Sequence, residues 1–336
     1  MANRKEPECC EQFKTMIGGQ AVIEGVMMQG PEKRAVVIRK QDGELVEKVE
    51  PLEKRTGWKT LPMIRGVFNF ASSLTGGVKT LMYSAEFFPE DGEDEEPSKF
   101  EKWFEEKFGS EKLEKAIIAL AAVLGAAFSV ALFFVLPIII GDALESWLHF
   151  SVVVKNLVEG LLRVVIFLVY MALVSGMKDM KRVFSYHGAE HKTIRCYEAR
   201  LPLTVENART MTRLHPRCGT SFLFVVMIIS IVLFTVTNSL LLQIGAIAAL
   251  RENMRLLFNL LMLVFKILIL LPIVVSISYE CNRLVGRHDN AFTRFLTKPG
   301  MWLQNFTTNE PDDSMLEVAI TSLKLVLPEQ EGTDKW

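Results

Sequence analysis

Four stretches of this chain, about Ala116 to Ile140, Leu157 to Met177, Ser221 to Leu242 and Leu256 to Ser278, are apolar along nearly their whole length. Each is long enough to cross the roughly 30 Å hydrocarbon core of a bilayer, which takes about 20 apolar residues. Composition alone, 50% hydrophobic with a net charge of −1 over 336 residues, fits a large soluble protein or a membrane protein equally well. The clustering of the apolar residues decides between them. The expected fold is a mainly α membrane protein with four transmembrane helices, a small N-terminal cytoplasmic β unit and amphipathic helices. Arg4 and Lys5 are followed by no apolar run, so no cleavable signal peptide is expected.

Orientation follows from Lys and Arg in the short connections, which stay on the cytoplasmic side. The segment 178–217 carries nine such residues, among them Lys178, Lys181, Arg182, Arg213 and Arg217, and five lysines precede the first span. The segment 141–156 has only Lys155, and 243–255 only Arg251 and Arg255. Both termini and the central segment are therefore expected in the cytoplasm, with the protein in the cell membrane. Cys9, Cys10, Cys196, Cys218 and Cys281 all fall on that reducing side, where a free thiol or a metal ligand is favoured over a disulfide.

Residues 1–88 read as the cytoplasmic N-terminal part. Gly18 to Met28 is glycine-punctuated and β-branched, Gly30-Pro31 signals a turn, and Ala35 to Arg39 followed by Asp42-Gly43 suggests a hairpin. Its glycines serve turns or ligand contact, turns being the commoner use. From Ile64 to Phe88 the residues Val67, Phe70, Ala71, Leu74, Val78, Leu81 and Met82 have helical spacing. That helix packs on the β unit or lies along the bilayer surface. An acidic linker, 89–97, precedes an interfacial amphipathic helix over 98–115 whose Phe100, Trp103, Phe104 and Phe108 share one face. The transmembrane domain then runs over 116–278, including a loop at 178–220, and a cytoplasmic tail with one further helix occupies 279–336.

In that central loop, His187-Gly188-Ala189-Glu190-His191 places two imidazoles one helical turn apart. Such a pair can hold a divalent metal, with Glu190 near enough to take a proton from water. The order His-x-x-Glu-His is that of the inverzincin peptidases. Topology adds candidates, because the cytoplasmic ends of the second, third and fourth spans bring distant residues to one depth. His215 and Cys218 precede the third span; Glu280 and Cys281 follow the fourth. The candidate metal ligands are His187 and His191 with one or two of His215, Cys218 and Glu280, and the candidate catalytic base is Glu190. Four protein ligands would make the metal structural, and three would leave a position for water. His/Cys ligation favours zinc, with iron and manganese as alternatives. Each candidate also has a plain structural reading: His215 caps a turn, Cys218 is a small buried residue, and Glu280 pairs with Arg283.

Two features of the spans stand apart. Glu159 and Arg163, four residues apart, are most simply an intrahelical ion pair. Lys266 lies near the middle of the fourth span, where an unpartnered charge costs about 2.5 to 3.5 kcal/mol. No carboxylate at matching depth is obvious.

The motifs taken together resemble the YqhQ family, bacterial and plastid membrane proteins described as metal-dependent enzymes of unknown function. The matching stretches are Gly18 to Met28, His187 to Lys192, His215 to Ser221, Tyr279 to Arg283, and Lys298-Pro299-Gly300 through Glu310-Pro311. The resemblance implies a metal centre in the cytoplasmic face and leaves the reaction open. The inverzincin likeness is at most convergent, since those soluble enzymes take a downstream glutamate as third ligand and here Glu280 lies beyond two spans.

The leading expectation is a membrane-embedded zinc hydrolase working at the cytoplasmic face on a peptide segment or a lipid head group. The alternative is a nonenzymatic scaffold whose metal is structural and which binds membrane-protein partners, for example in membrane-protein biogenesis. A transporter built on Lys266 has little support from four spans without a repeat. Nucleic acid is not an expected partner, because topology accounts for the basic residues; the lipid bilayer is.

Overall fold

A computed structural model describes residues 14–53, 56–88, 110–149, 151–288, 290–330 and 332–335. The acidic linker and most of the interfacial helix expected over 98–115 lie outside the described residues. The chain divides into two compact units. The first holds the described residues of Met1–Phe88, Met171–Met227 and Ile273–Trp336, and the second those of Pro89–Tyr170 and Ile228–Pro272.

The first unit begins with a four-stranded antiparallel meander, β1 Gly18–Val22, β2 Gly25–Gln29, β3 Lys33–Arg39 and β4 Leu45–Pro51. Successive strand side chains point to opposite faces, so the apolar run in β2 and β3 supplies two cores. Val26, Met28, Ala35 and Val37 face one way, and Met27, Val36 and Ile38 the other. The first set packs against helix α5, Lys178–Glu198, and helix α12, Asp313–Val326, through Tyr186, Ala189, Leu316, Ala319 and Leu323, all essentially inaccessible to solvent. The second set is covered by Tyr83, Phe87 and Phe88 at the end of helix α1, Ile64–Ala85.

Helix α1 has the expected apolar stripe, pointing away from the β unit. The residues it buries are Gly66, Gly76, Gly77, Thr80 and Ser84, while Phe70, Leu74, Val78, Leu81 and Met82 are exposed. Small residues win the inner face because the approach is close: a Cβ on Gly66 would lie 2.9 Å from the Ser276 Cα, and one on Gly77 2.6 Å from Gln20 Oε1.

Four helices are long and apolar enough to cross a membrane: Ala116–Leu148, Val152–Gly176, Gly219–Leu241 and Arg255–Arg287. The first is built from α2 Ser110–Val130 and α3 Leu136–Leu148 joined by a π turn, Ala131–Val135. The second and third are α4 and α7. The fourth joins α9 Arg255–Phe265 to α10 Leu271–Arg287 through a second π turn, Lys266–Leu270. Leu120, Val123, Leu124 and Phe128 of the first helix are each more than half exposed.

The segment 178–220, expected as a loop, is mostly α5 followed by the short α6, Val205–Thr210, whose N-cap Thr204 accepts from the Asn207 N–H. Between α7 and α9 lies α8, Gly245–Asn253. The tail carries two helices, α11 Ala291–Thr307 and α12, where one was expected.

In the second unit Glu159 and Arg163 do pair, at 3.2 Å. Lys266 also has a carboxylate at its depth, contrary to expectation: Glu159 Oε2 lies 4.0 Å from its Nζ. Lys155 joins the same group, 3.9 Å from Glu159 and 3.2 Å from Glu145. Carboxylates placed beside these cations lower the cost of burying them, Lys155 having Asp142 and Glu145 as well as Glu159.

A candidate histidine–cysteine metal centre

Helix α5 carries His187 and His191 on one face, with ring centroids 4.4 Å apart. Their outer nitrogens are tied to main-chain carbonyls. His187 Nδ1 lies 2.7 Å from the Thr307 oxygen at the end of α11, and His191 Nδ1 lies 2.6 Å from the Arg213 oxygen. A carbonyl only accepts, so both imidazoles donate through Nδ1 and present an unprotonated Nε2 when neutral. Nδ1–H held by a carbonyl and Nε2 left free is the arrangement that orients histidine metal ligands.

The two Nε2 atoms converge on Cys218, in the turn just before α7. His187 Nε2 is 3.2 Å from its sulfur, and the ligand atoms of His187, His191 and Cys218 all lie within 4.8 Å of one another. The sulfur also accepts from Thr220 N and Oγ1, at 3.5 and 3.4 Å. Burial alone raises a thiol pKa, but His191 and His187 outweigh it and hold Cys218 well below the ordinary thiol range. Burial likewise disfavours a charged His187, yet the Cys218 thiolate and Glu190 prevail and raise it to about 9. The site thus stabilises the thiolate, which is the metal-binding form of cysteine.

Glu190 sits beside these three groups, 4% exposed. Burial pushes its carboxyl pKa up, against the opposing pull of His187 and His191. Strand β1 reaches it: the Gly19 N–H donates to the carboxylate, and a Cβ on Gly19 would stand 3.0 Å from Glu190 Cδ and 2.5 Å from the Met27 oxygen. That close approach, and no turn, is what Gly19 is for. Two buried polar atoms here lack any hydrogen-bond partner, His191 Nε2 and Glu190 Oε2. Unsatisfied buried atoms cost about 1–3 kcal/mol each, so their coincidence beside a thiolate fits a cation among them.

The other two candidate ligands are elsewhere. Glu280 is turned to helix α1: Arg65 grips it through Nε at 2.7 Å and through Nη2, and the Met63 N–H adds a bond at 3.2 Å. A guanidinium fork satisfies both carboxylate oxygens and turns Glu280 away from the cluster, while Arg283 adds a further favourable charge nearby. His215 lies nearer, its ring 5.6 Å from that of His191, but its Nε2 faces Glu198 at 3.4 Å. Burial depresses its pKa to about 4 in spite of Glu198, so it is neutral. Glu198 also receives the Arg217 guanidinium and the Thr15 N–H.

Gln304 of α11 supports this shell and carries no signal in the sequence. Its side chain accepts from the His215 N–H at 2.8 Å and donates to the His215 carbonyl at 2.7 Å, fixing the turn that delivers Cys218. The segment after α11 also closes on α5 at Gly188, where a Cβ would lie 2.0 Å from the Asn309 main-chain oxygen, and the Asn309 N–H donates to the Phe184 oxygen at 2.8 Å. The stretch Lys298 to Pro311, noticed only for its resemblance, is therefore the outer wall of the cluster.

The fold and the cluster define a largely helical protein with four candidate membrane spans and a His/His/Cys group whose His191 is buried and whose His187 and Cys218 are half-buried. Residues 61–329 match a family described as Protein of unknown function (DUF1385). The chain is also similar to the uncharacterized protein YqhQ of Bacillus subtilis (strain 168), 33% identical over 319 residues that cover 92% of each chain. The chain belongs to this family. No solved structure matches it.

Proposed function

We propose that the chain is an integral membrane protein whose His187, His191 and Cys218 hold one divalent metal, zinc by preference, at the cytoplasmic face, and that it is a metal-dependent hydrolase. The observation that carries this reading is the convergence of three ligand atoms within 4.8 Å, beside two buried polar atoms with no partner. Two imidazoles and a thiolate suit zinc by softness.

Among the described residues the group has three members, which leaves one position open to water or substrate. Zinc so held supplies Lewis acidity to whatever occupies that position. Glu190 is close by, and burial raises its proton affinity, as a base that accepts a proton during hydrolysis requires. With a metal bound in place of the proton, His187 and His191 would turn their Nε2 lone pairs inward, their Nδ1–H groups held by the Thr307 and Arg213 carbonyls. Lipid headgroups and membrane-proximal peptide segments are the substrate classes that reach such a site.

One observation favours a second reading. His191 and Glu190 are almost fully enclosed, as a structural metal would be, and the cluster joins β1, α5 and α11. In that case the protein is a scaffold for membrane partners. Metal content of the detergent-purified full chain, measured by mass spectrometry, tests the site. About one equivalent of zinc is expected, lost in His191→Ala and in Cys218→Ser and retained in Glu190→Gln. No metal after reconstitution with zinc, iron or manganese would overturn the proposal. Hydrolysis of a lipid or peptide panel by wild type and not by Glu190→Gln then separates enzyme from scaffold.

A further inference from the structure

Helix α1 has three faces. One is the small-residue face packed on the protein, a second is the apolar face of Phe70, Leu74, Val78 and Leu81, and a third is a polar edge of Ser72, Thr75 and Lys79. Leu74 is 59% exposed and Val78 51%, on a helix whose inner face is made of glycine, threonine and serine. Single exposed apolar residues are ordinary, but a stripe of them along one helix marks an interaction surface.

We infer that α1 lies in the interface of the bilayer and binds its anionic headgroups. Two observations choose lipid over a protein partner. The first is continuity with a span: the start of α1 is pressed onto the fourth candidate span, with Gly66 against Ser276 and Tyr279 and with Arg65 on Glu280. The apolar stripe therefore begins at the depth where that span leaves the hydrocarbon. The second is charge. Residues 64–85 contain Arg65 and Lys79 and no carboxylate. Glu280 neutralises Arg65, while Lys79 is exposed on the edge beside the stripe, and Lys59 precedes the helix. Lys79 has no ion-pair partner among the described residues, Glu86 being the first carboxylate after it, and an apolar face edged by such a lysine is a composition of helices that sit in anionic interfaces.

Photo-crosslinking tests this with the full chain reconstituted in vesicles of phosphatidylcholine and phosphatidylglycerol. A benzophenone amino acid replaces Leu74 or Val78, both exposed positions that tolerate it. Phospholipid adducts are expected at both, with phosphatidylglycerol enriched over its bulk share. Lys79→Glu is expected to reduce that enrichment by at least about five-fold, the factor one basic residue contributes at an anionic surface, because it removes that charge and adds an opposing one. Covalent dimers in place of lipid adducts would show a second copy on this face, and no adduct at all would show a free aqueous surface. Either result overturns the inference, as does phosphatidylglycerol enrichment that Lys79→Glu leaves unchanged. Metal content does not enter the readout, so the outcome is independent of the reading of the cluster.

Discussion

Replacing Gly188 by alanine separates helix propensity from the geometry of the cluster. In an open helix interior the change stabilises by about 1 kcal/mol. Here the new Cβ would stand 2.0 Å from the Asn309 oxygen, where a carbon–oxygen contact needs about 3.3 Å. Helix α5 and the segment after α11 must separate by more than about 1 Å. That opening stretches the Asn309 N–H bond to the Phe184 oxygen, now 2.8 Å, and the His187 Nδ1 bond to the Thr307 oxygen, now 2.7 Å. Two hydrogen bonds at about 0.5–1.5 kcal/mol each, with overpacking of about 1–3 kcal/mol, outweigh the propensity gain. The net loss is about 2–3 kcal/mol, a fall in the unfolding midpoint on the order of 5 °C in detergent. Zinc affinity should fall about 10–100-fold as well, because His187 loses the carbonyl that aims it. The comparison is Gly125→Ala in the first span, where nothing lies within 4 Å of the added Cβ. If Gly188→Ala matches or exceeds wild type in thermal stability, the contact between the 309 segment and α5 is wrong, and the outer wall of the cluster with it.

Two further changes probe the surroundings. Glu280→Gln should leave zinc stoichiometry at the wild-type level and lower stability by about 1 kcal/mol through the weakened Arg65 contact; metal loss in this variant would restore Glu280 as a ligand. Asp312 caps α12, accepting from the Met315 N–H at 2.9 Å and the Ser314 hydroxyl at 2.6 Å. Burial works against its charge, but these bonds outweigh it and hold the carboxyl below its ordinary value of 3.8. A depressed folded pKa means that its contribution is complete above about pH 4 and disappears as pH falls through the lower folded value. Asp312→Ala should therefore cost about 1 kcal/mol at neutral pH, with the gap from wild type closing in acid; a constant gap across the titration would refute the assignment.

The parts legible in the sequence are those written in residue type. Apolar run length marked the four candidate spans, glycines and β-branched residues marked the β unit, and the i, i+4 histidines with a span-end cysteine came together as chemistry would arrange them. What stayed hidden has physical reasons. Periodicity shows that α1 has an apolar face but not which way it points, and Gly66, Gly76 and Gly77 reverse the usual choice. Pro299 and Gly300, residue types that ordinarily interrupt a helix, lie inside α11, where Gly300 allows contact with Ser221. Glu280 reads from the sequence as a metal ligand or as the partner of Arg283, and only the fold brings Arg65 to it. The Thr307 and Arg213 acceptors are main-chain oxygens, which any residue would supply and no motif can announce.

That last point bears on how the protein is made. Both imidazoles and the thiol are in place once residue 218 has been added, but the acceptor for His187 is 120 residues after it in the chain. At about 5–20 residues per second, ribosomes take roughly 4–18 s to go from residue 218 to residue 307, and two candidate spans are synthesised in that time. During this time the ligands exist without the wall that orients them. A His187 aimed by Thr307 is thus a property of the finished fold, acquired after the last span, and never one of the growing chain.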